Sequence, residues 1–196
     1  FSICFLKLVY YSTIKISDMW LVSLFTGIVA WTFAEYMLHR FLGHEHKGKN
    51  FFKAEHSVHH SVANYFAPTF KKLIAAVIVA GTMLFVLSFL ISILNAAAFV
   101  VGFVGMYSLY EITHYRYHAS KPLVKPFIIL RKHHFYHHFH NPKMNHGVTT
   151  RFWDRVFGTF HRVEVVRVPK QMSMRWLVSG DEIKSQYDRH FKLGKR

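Results

Sequence analysis

The sequence predicts an all-α membrane protein, a polytopic chain of about four transmembrane helices carrying a histidine-rich cap. Three observations lead there. The chain is 52% hydrophobic and 17% aromatic over 196 residues, too apolar for an ordinary soluble domain of this size. Residues 73 to 110 contain no charged residue and no proline; at 1.5 Å per residue such a run extends about 57 Å, nearly twice a hydrocarbon core of about 30 Å. Finally, most of the 16 histidines fall into regularly spaced clusters outside that run.

The elements follow in order. Ser2 to Ile16 is apolar but short and carries Lys7, so it reads as the remnant of a span that pairs with the next in a hairpin around Ser17 and Asp18. Met19 to Leu38 is long enough to cross a bilayer, and its one charge, Glu35, lies in its last turn. Lys47 to Lys53 reads as a solvated loop. Residues 73 to 110 make two spans, with the turn expected at Asn95. Pro122 to Lys132 places Phe127-Ile128-Ile129-Leu130 between basic residues, the pattern of an interfacial helix. After Arg162 the chain is basic and mixed, broken by Pro169 and Gly180. The expected division is a membrane domain with its cap over 1–160 and a basic cytoplasmic tail over 161–196.

Charge placement orients these pieces. Lys and Arg number two in 1–38, six in 39–72, none in 73–115 and seventeen in 116–196. By the positive-inside rule the 39–72 loop and the C-terminal third share the cytoplasmic side, and every histidine cluster goes with them. The net charge of +15 flanks spans, so it reads as topology and attraction to anionic headgroups; a nucleic-acid partner is not expected. The single Cys4 excludes an intrachain disulfide.

The histidine spacings are His39-x4-His44, His56-x2-His59-His60, His114-x3-His118 and His134-x2-His137-His138. Residues three and four apart share a helix face, so the second and fourth clusters each aim three imidazoles one way and the third aims two. The first is the exception. Five residues turn about 140° round an α-helix, and His39 and His44 converge only if the helix breaks, for which Gly43 offers a place. Ten imidazoles so arranged repel and desolvate one another if charged. A metal keeps them neutral, and ten nitrogens exceed one ion's needs and suit two ions with open positions.

Glu35, four residues before His39, and Glu111, three before His114, sit near the ends of spans, where an ionisable group is normally paired. The expected role is to accept the free N–H of a metal-bound imidazole. His133 competes with His134 for the fourth cluster; His134 is preferred because it repeats the x2 spacing of His56 and His59. His140 and His146 are placed near the site, and His46, His161 and His190 read as interfacial bystanders.

At these residues the sequence resembles the fatty acid hydroxylase superfamily of membrane histidine-rich oxygenases. Glu35-Tyr36-Met37-Leu38-His39-Arg40-Phe41 looks like the fatty acid 2-hydroxylase form of the first motif. Asn145-His146-Gly147-Val148-Thr149 and Trp153-Asp154-Arg155-Val156-Phe157-Gly158-Thr159 are similar to the closing signature. The resemblance covers roughly residues 31 to 160. It implies an O2-dependent oxidoreductase, probed best as a 2-hydroxylase of a fatty acid or ceramide, with a cytoplasmic dimetal centre. That chemistry needs a redox metal, so iron is expected; zinc fits the same ligands but has no redox states. No cytochrome b5 domain lies within this sequence, so the electrons are expected from a separate donor such as cytochrome b5 or ferredoxin. The expected partners are thus a lipid substrate, the membrane and that donor, in the endoplasmic reticulum of a eukaryote or the inner membrane of a bacterium.

Other readings compete. Sterol desaturases, sterol methyl oxidases and carotenoid hydroxylases share the framework, and the shorter acyl-CoA desaturase pattern shares some spacings but lacks the His114-x3-His118 pair and the closing signature. A metal transporter should line a path near the midplane with ligands, and residues 73 to 110 hold none. An inactive lipid-binding scaffold would keep the fold and the metals as structure alone.

Overall fold

The computed structural model describes residues 19–62, 64–122 and 125–194; the expected span over Ser2 to Ile16 and its hairpin lie outside them. The described chain forms helices α1 (Trp20–Met37), continued without interruption by a π-helical segment (Leu38–Glu45), α2 (Phe51–Ser61), α3 (Thr69–Ser88), α4 (Ile93–Ala119), α5 (Lys125–Phe139) and the short α6 (Phe152–Val156). Four short strands follow: β1 (Val166–Pro169), β2 (Val178–Ser179), β3 (Glu182–Ile183) and β4 (Phe191–Gly194). Three helices among the described residues are long and apolar enough to cross a membrane: Trp20–Glu45, Thr69–Ser88 and Ile93–Ala119. The chain divides into two compact units, one of residues up to 31 with 68–108, the other of 32–67 with 109 onward.

In the first unit α1 and α4 pack backbone to backbone. A Cβ on Gly27 would lie 2.1 Å from the Phe99 carbonyl oxygen, and one on Gly102 2.1 Å from that of Leu24. Each helix therefore spends a glycine where the other passes. Trp31 closes the contact, edge-on to Phe103 at 5.2 Å and tilted against Tyr107 at 4.8 Å. Helix α3 buries no side chain within the molecule, which suits a helix whose surroundings are lipid. The turn between α3 and α4 falls at residues 89–92, ahead of the expected Asn95. Ser92 takes the helix N-cap, its Oγ accepting the Asn95 amide at 3.3 Å, a role for which serine is strongly suited.

The second unit is not all-helical, as the sequence had suggested. Strands β1 and β4 pair in parallel, Val166 opposite Phe191 and Val168 opposite Leu193. Strands β2 and β3 form a hairpin whose connecting Gly180 has φ +59. Val166, Val168, Met174, Leu177, Tyr187 and Phe191 bury their side chains with Tyr117, Phe135 and Val148 in one core. Ile128 and Leu130 of α5 pack against this core while Phe127 and Ile129 stay exposed. Half of the run read as interfacial therefore faces protein.

A buried arginine fastens the end of α4. Arg131 donates to the carbonyls of Ser120 at 2.6 Å and Arg116 at 2.9 Å, and stacks 4.3 Å over Trp176. Carbonyls at a helix C-terminus run short of intrahelical donors; a side chain from α5 supplies one to Ser120 and a second to Arg116, whose carbonyl also accepts the Ser120 amide at 3.2 Å.

Candidate metal centre

Four helical segments deliver the histidines, each by its own local device. The first uses winding. Over Leu38–Glu45 the chain runs as a π-helix, its i→i+5 bonding sealed by the His46 amide on the Phe41 carbonyl at 2.7 Å. At roughly 4.4 residues per turn, five residues overshoot a full circle by only about 50°, so His39 and His44 share a face with no break between them. Gly43 is there for room: a Cβ would come 3.1 Å from the His56 ring. Helix α2 starts at Asn50, whose Oδ1 accepts the Lys53 amide at 2.7 Å, which sets the phase at which His56, His59 and His60 emerge. The ends of α4 and α5 carry the rest.

The structure gathers the ten imidazoles into two groups of five. His39, His44, His56, His60 and His137 form one, and His59, His114, His118, His134 and His138 the other; within each, the candidate ligand nitrogens lie within 4.8 Å of one another. The trios of α2 and α5 are split: α2 gives His56 and His60 to the first group and His59 to the second, and α5 gives His137 to the first and His134 with His138 to the second. The two groups adjoin, His60 stacking on His138 with centroids 4.1 Å apart.

The nitrogen geometry calls for a cation. His56 Nε2 lies 2.8 Å from His44 Nε2, 2.9 Å from His60 Nε2 and 3.0 Å from His39 Nε2. In the second group His59 faces His114 at 2.9 Å and His118 faces His134 at 3.0 Å, again through Nε2. One ring nitrogen carries at most one hydrogen, so the other contacts at His56 would set lone pair against lone pair. A positive ion relieves this, and metal–imidazole bonds of about 2.0–2.1 Å put nitrogens at most about 4.2 Å apart across it, close to the observed spread. Protonation does not relieve it. Burial and then the neighbouring imidazoles hold His56, His134, His137 and His138 well below the usual histidine range, and burial brings His60 down to about 3. Neutral imidazoles with converging lone pairs could hold a metal ion in each group.

Glu35 does not meet an imidazole. Its Oε1 accepts the amides of Val148 at 2.5 Å and Thr149 at 3.0 Å, and its Oε2 accepts the Thr149 hydroxyl at 2.5 Å. Backbone carbonyls take the orienting role expected of it. His39 Nδ1 contacts the His146 carbonyl at 2.5 Å, His137 Nδ1 that of Met144 at 2.8 Å, and His59 Nδ1 that of Tyr65 at 2.6 Å. Glu111 lies half-buried on α4 one turn ahead of His114.

The remaining candidates separate. His133 points away from both groups and bonds Asp154 at 2.9 Å, leaving His134 to face His118. His140 is exposed and accepts the Arg167 amide at 3.0 Å, outside the groups. His146 is buried beside the first group, its ring 5.1 Å from that of His137 and 5.5 Å from that of His39, with burial lowering it to about 4. Sequence reasoning assigned no role to Asp154. It is fully buried and accepts from the amides of His146 and Gly147, each at 2.8 Å, from Thr159 Oγ1 at 2.7 Å and from His133. Burial pushes its carboxyl up, but the His133 bond and these amide and hydroxyl donors prevail and hold it below the usual value. The signal was there: a lone acid between Trp153 and Arg155 inside an aromatic segment.

Helices long and apolar enough to cross a membrane, together with two adjoining five-histidine groups that could hold metal, mark a membrane-associated protein. The chain belongs to the fatty acid hydroxylase family, whose model matches residues 24–159. It is 32% identical over 137 residues to a dihydroceramide fatty acyl 2-hydroxylase of Arabidopsis thaliana, covering 68% of this chain and 58% of that protein. It is 32% identical over 142 residues to the fatty acid 2-hydroxylase of Mus musculus, covering 68% of this chain and 38% of the relative. With a ceramide very long chain fatty acid hydroxylase of Saccharomyces cerevisiae the identity is 34% over 143 residues, or 68% and 36% of the two chains. The chain thus spans well under two thirds of each relative. Among solved structures, full-length scs7p, of which only the hydroxylase domain is visible, matches with TM-score 0.56 and 29% identity over 81% of this chain and 64% of that one.

Proposed function

We propose that this chain is the hydroxylating part of a membrane enzyme that oxidises a lipid acyl chain with O2, at the 2-position of a fatty acid or ceramide. The observation that carries the reading is the pair of five-imidazole groups lying where membrane-long helices end. A lipid anchored in the leaflet brings its carboxyl-proximal carbons to that depth. The family and the printed activities of the relatives support the same reaction. The balance is C–H + O2 + 2 electrons + 2 protons giving C–OH + H2O, with the electrons from a separate donor such as cytochrome b5 or ferredoxin.

His39, His44, His56, His60 and His137 would hold one ion, and His59, His114, His118, His134 and His138 the other. Two bound iron ions would supply the redox chemistry that activates O2 and breaks an unactivated C–H bond. The chain's own residues supply the rest. Carbonyls of Met144, His146 and Tyr65 take the Nδ1 hydrogens of His137, His39 and His59, leaving each Nε2 lone pair free to bind. Burial keeps the imidazoles neutral. The lysine and arginine excess of the 39–72 and C-terminal segments supports a cytoplasmic position for the groups and for the tail over 161–196.

The test is lipid analysis. Cells expressing the active chain accumulate 2-hydroxy acyl lipids, and cells expressing His59→Ala do not. Changes confined to sterol or carotenoid species would end the 2-hydroxylase reading.

A further inference from the structure

Helix α6 wears its apolar residues on the outside. Phe152 and Val156, one turn apart, are 56% and 55% exposed and Phe157 is 43% exposed, whereas the acid of the helix, Asp154, is fully buried. Two sets of contacts hold it in this sense. Inward, Asp154 takes the amides of His146 and Gly147 together with the His133 ring, so the helix cannot roll its apolar face under. Sideways, Trp153 donates its indole N–H to Thr32 Oγ1 at 3.0 Å and packs edge-on against Phe33 at 4.9 Å, while Phe157 stacks on Tyr36 at 5.2 Å. A single exposed apolar side chain is ordinary. Here Phe157 also lies 6.3 Å from the ring of Phe33, which is itself exposed, so the apolar surface runs from α6 onto α1.

What covers that surface follows from α1. Thr32, Phe33 and Tyr36 belong to Trp20–Glu45, a helix long and apolar enough to cross a membrane. Phe33 precedes Arg40, the first Lys or Arg after it, by seven positions, or about 10 Å along a helix. Helices that lie in a bilayer interface sink their apolar face about 5–10 Å into the boundary between headgroups and acyl chains, and the contacts with α1 hold α6 at that level. Charge agrees with depth. Arg151 and Arg155 set their guanidinium groups over the Phe160 ring, at 5.8 and 4.4 Å, and the buried Asp154 is the only acid between Glu111 and Glu164. Cations at such a level attract anionic headgroups.

We propose that α6 is a wedge seated in the membrane: Phe152, Val156 and Phe157 enter the acyl region of the leaflet alongside α1, and Arg151 with Arg155 engages anionic lipid headgroups. This rests on the reading of Trp20–Glu45 as a membrane span.

The experiment puts single cysteines into the full chain carrying Cys4→Ser: Phe152→Cys and Val156→Cys on the wedge, Phe25→Cys on α1, and Asp181→Cys in the exposed turn between β2 and β3. Each is labelled with bimane and reconstituted in vesicles of phosphatidylcholine and phosphatidylglycerol whose acyl chains carry bromine. Bromine should quench the label at 152 and 156, more strongly when carried near the headgroup than deep in the chain, and at 25 in the reverse order. At 181 aqueous iodide should quench instead. Bromine borne by phosphatidylglycerol should quench 152 and 156 more than the same bromine borne by phosphatidylcholine, and Arg151→Gln with Arg155→Gln should level the two. Quenching of 152 and 156 by iodide alone would show a helix facing water, and quenching by neither would show a face covered by protein such as a second copy; each overturns the wedge. Equal quenching by the two lipids in the parent, or a preference that survives the double arginine variant, overturns the headgroup contact. A label at 25 that bromine does not reach removes the membrane span itself and this inference with it.

Discussion

Trp176 donates its indole N–H to the carbonyl of His118 at 2.9 Å, so a side chain from the C-terminal segment ends the helix that presents His114 and His118. The stacked Arg131 takes the carbonyls of Arg116 and Ser120. Replacing Arg131 by Met keeps the bulk but takes away the side-chain donor to the half-buried Ser120 carbonyl and one of the two donors to that of Arg116, and lost bonds of this kind cost about 1–3 kcal/mol. A lower melting temperature in detergent is expected, with an exposed control such as Arg175→Met unchanged. Equal melting of the two would show that the cap contributes nothing.

Metal content is expected at two transition-metal ions per chain. His137→Ala should lose the ion of the first group and His59→Ala that of the second, while His46→Ala and His190→Ala retain both. Elemental analysis checks this. Equal loss in all four would strip the grouping of its meaning.

The glycine contacts between α1 and α4 fix the sign of a substitution. In an unpacked helix Gly→Ala is favourable by about 1 kcal/mol. At Gly102 the new Cβ would sit 2.1 Å from the Leu24 carbonyl oxygen, so Gly102→Ala should lower the melting temperature, whereas Gly105→Ala, with open space around it, should raise or preserve it. Stabilisation by both would mean that the helices do not meet there.

Acid should destabilise the metal-stripped chain. Burial lowers His60 to about 3 and His146 to about 4, against about 6.5 in an unfolded chain. Below 6.5 the unfolded state binds protons that the native state refuses, so stability present above that pH is lost as pH falls towards 3–4. Thermal melts at pH 7.5 and 5.5 should show the lower midpoint at 5.5. A midpoint that rises instead would contradict the burial of these rings.

Topology follows from charge. Cysteines introduced at Lys49 and Lys170 in a Cys4→Ser background should react from the cytoplasmic side, and one at Leu90, in the turn between α3 and α4, from the other. Labelling of 49 and 90 from the same side would refute the arrangement.

Much of this architecture was legible because it is written in composition and period. The apolar runs are visible in the residues themselves, and the clustering of eight of the ten histidines follows from spacings of three and four. What stayed hidden depends on the fold. The turn after α3 is Phe89-Leu90-Ile91 before Ser92, too apolar to stand out beside Asn95. Strands of two to four residues are too short for alternation to register, so the tail read as featureless. The convergence of His39 and His44 was expected to need a break because the arithmetic assumed 3.6 residues per turn. Glu35 and Asp154 were beyond reach for another reason: their partners are amides far along the chain, and backbone amides leave no mark on composition.

The π-helical segment ties motif spelling to chain geometry. A pair of ligands separated by three residues belongs to an α-wound helix, as at His114 and His118, and a pair separated by four belongs to a π-wound one, as at His39 and His44. Gap length and winding are therefore exchangeable only together. Deleting one residue between His39 and His44 would leave the pair aligned only if the segment reverted to α-helix, and all that follows would then be drawn back and rotated. The extra residue in the first motif thus acts as a spacer, setting the register at which the chain leaves the membrane helix for α2.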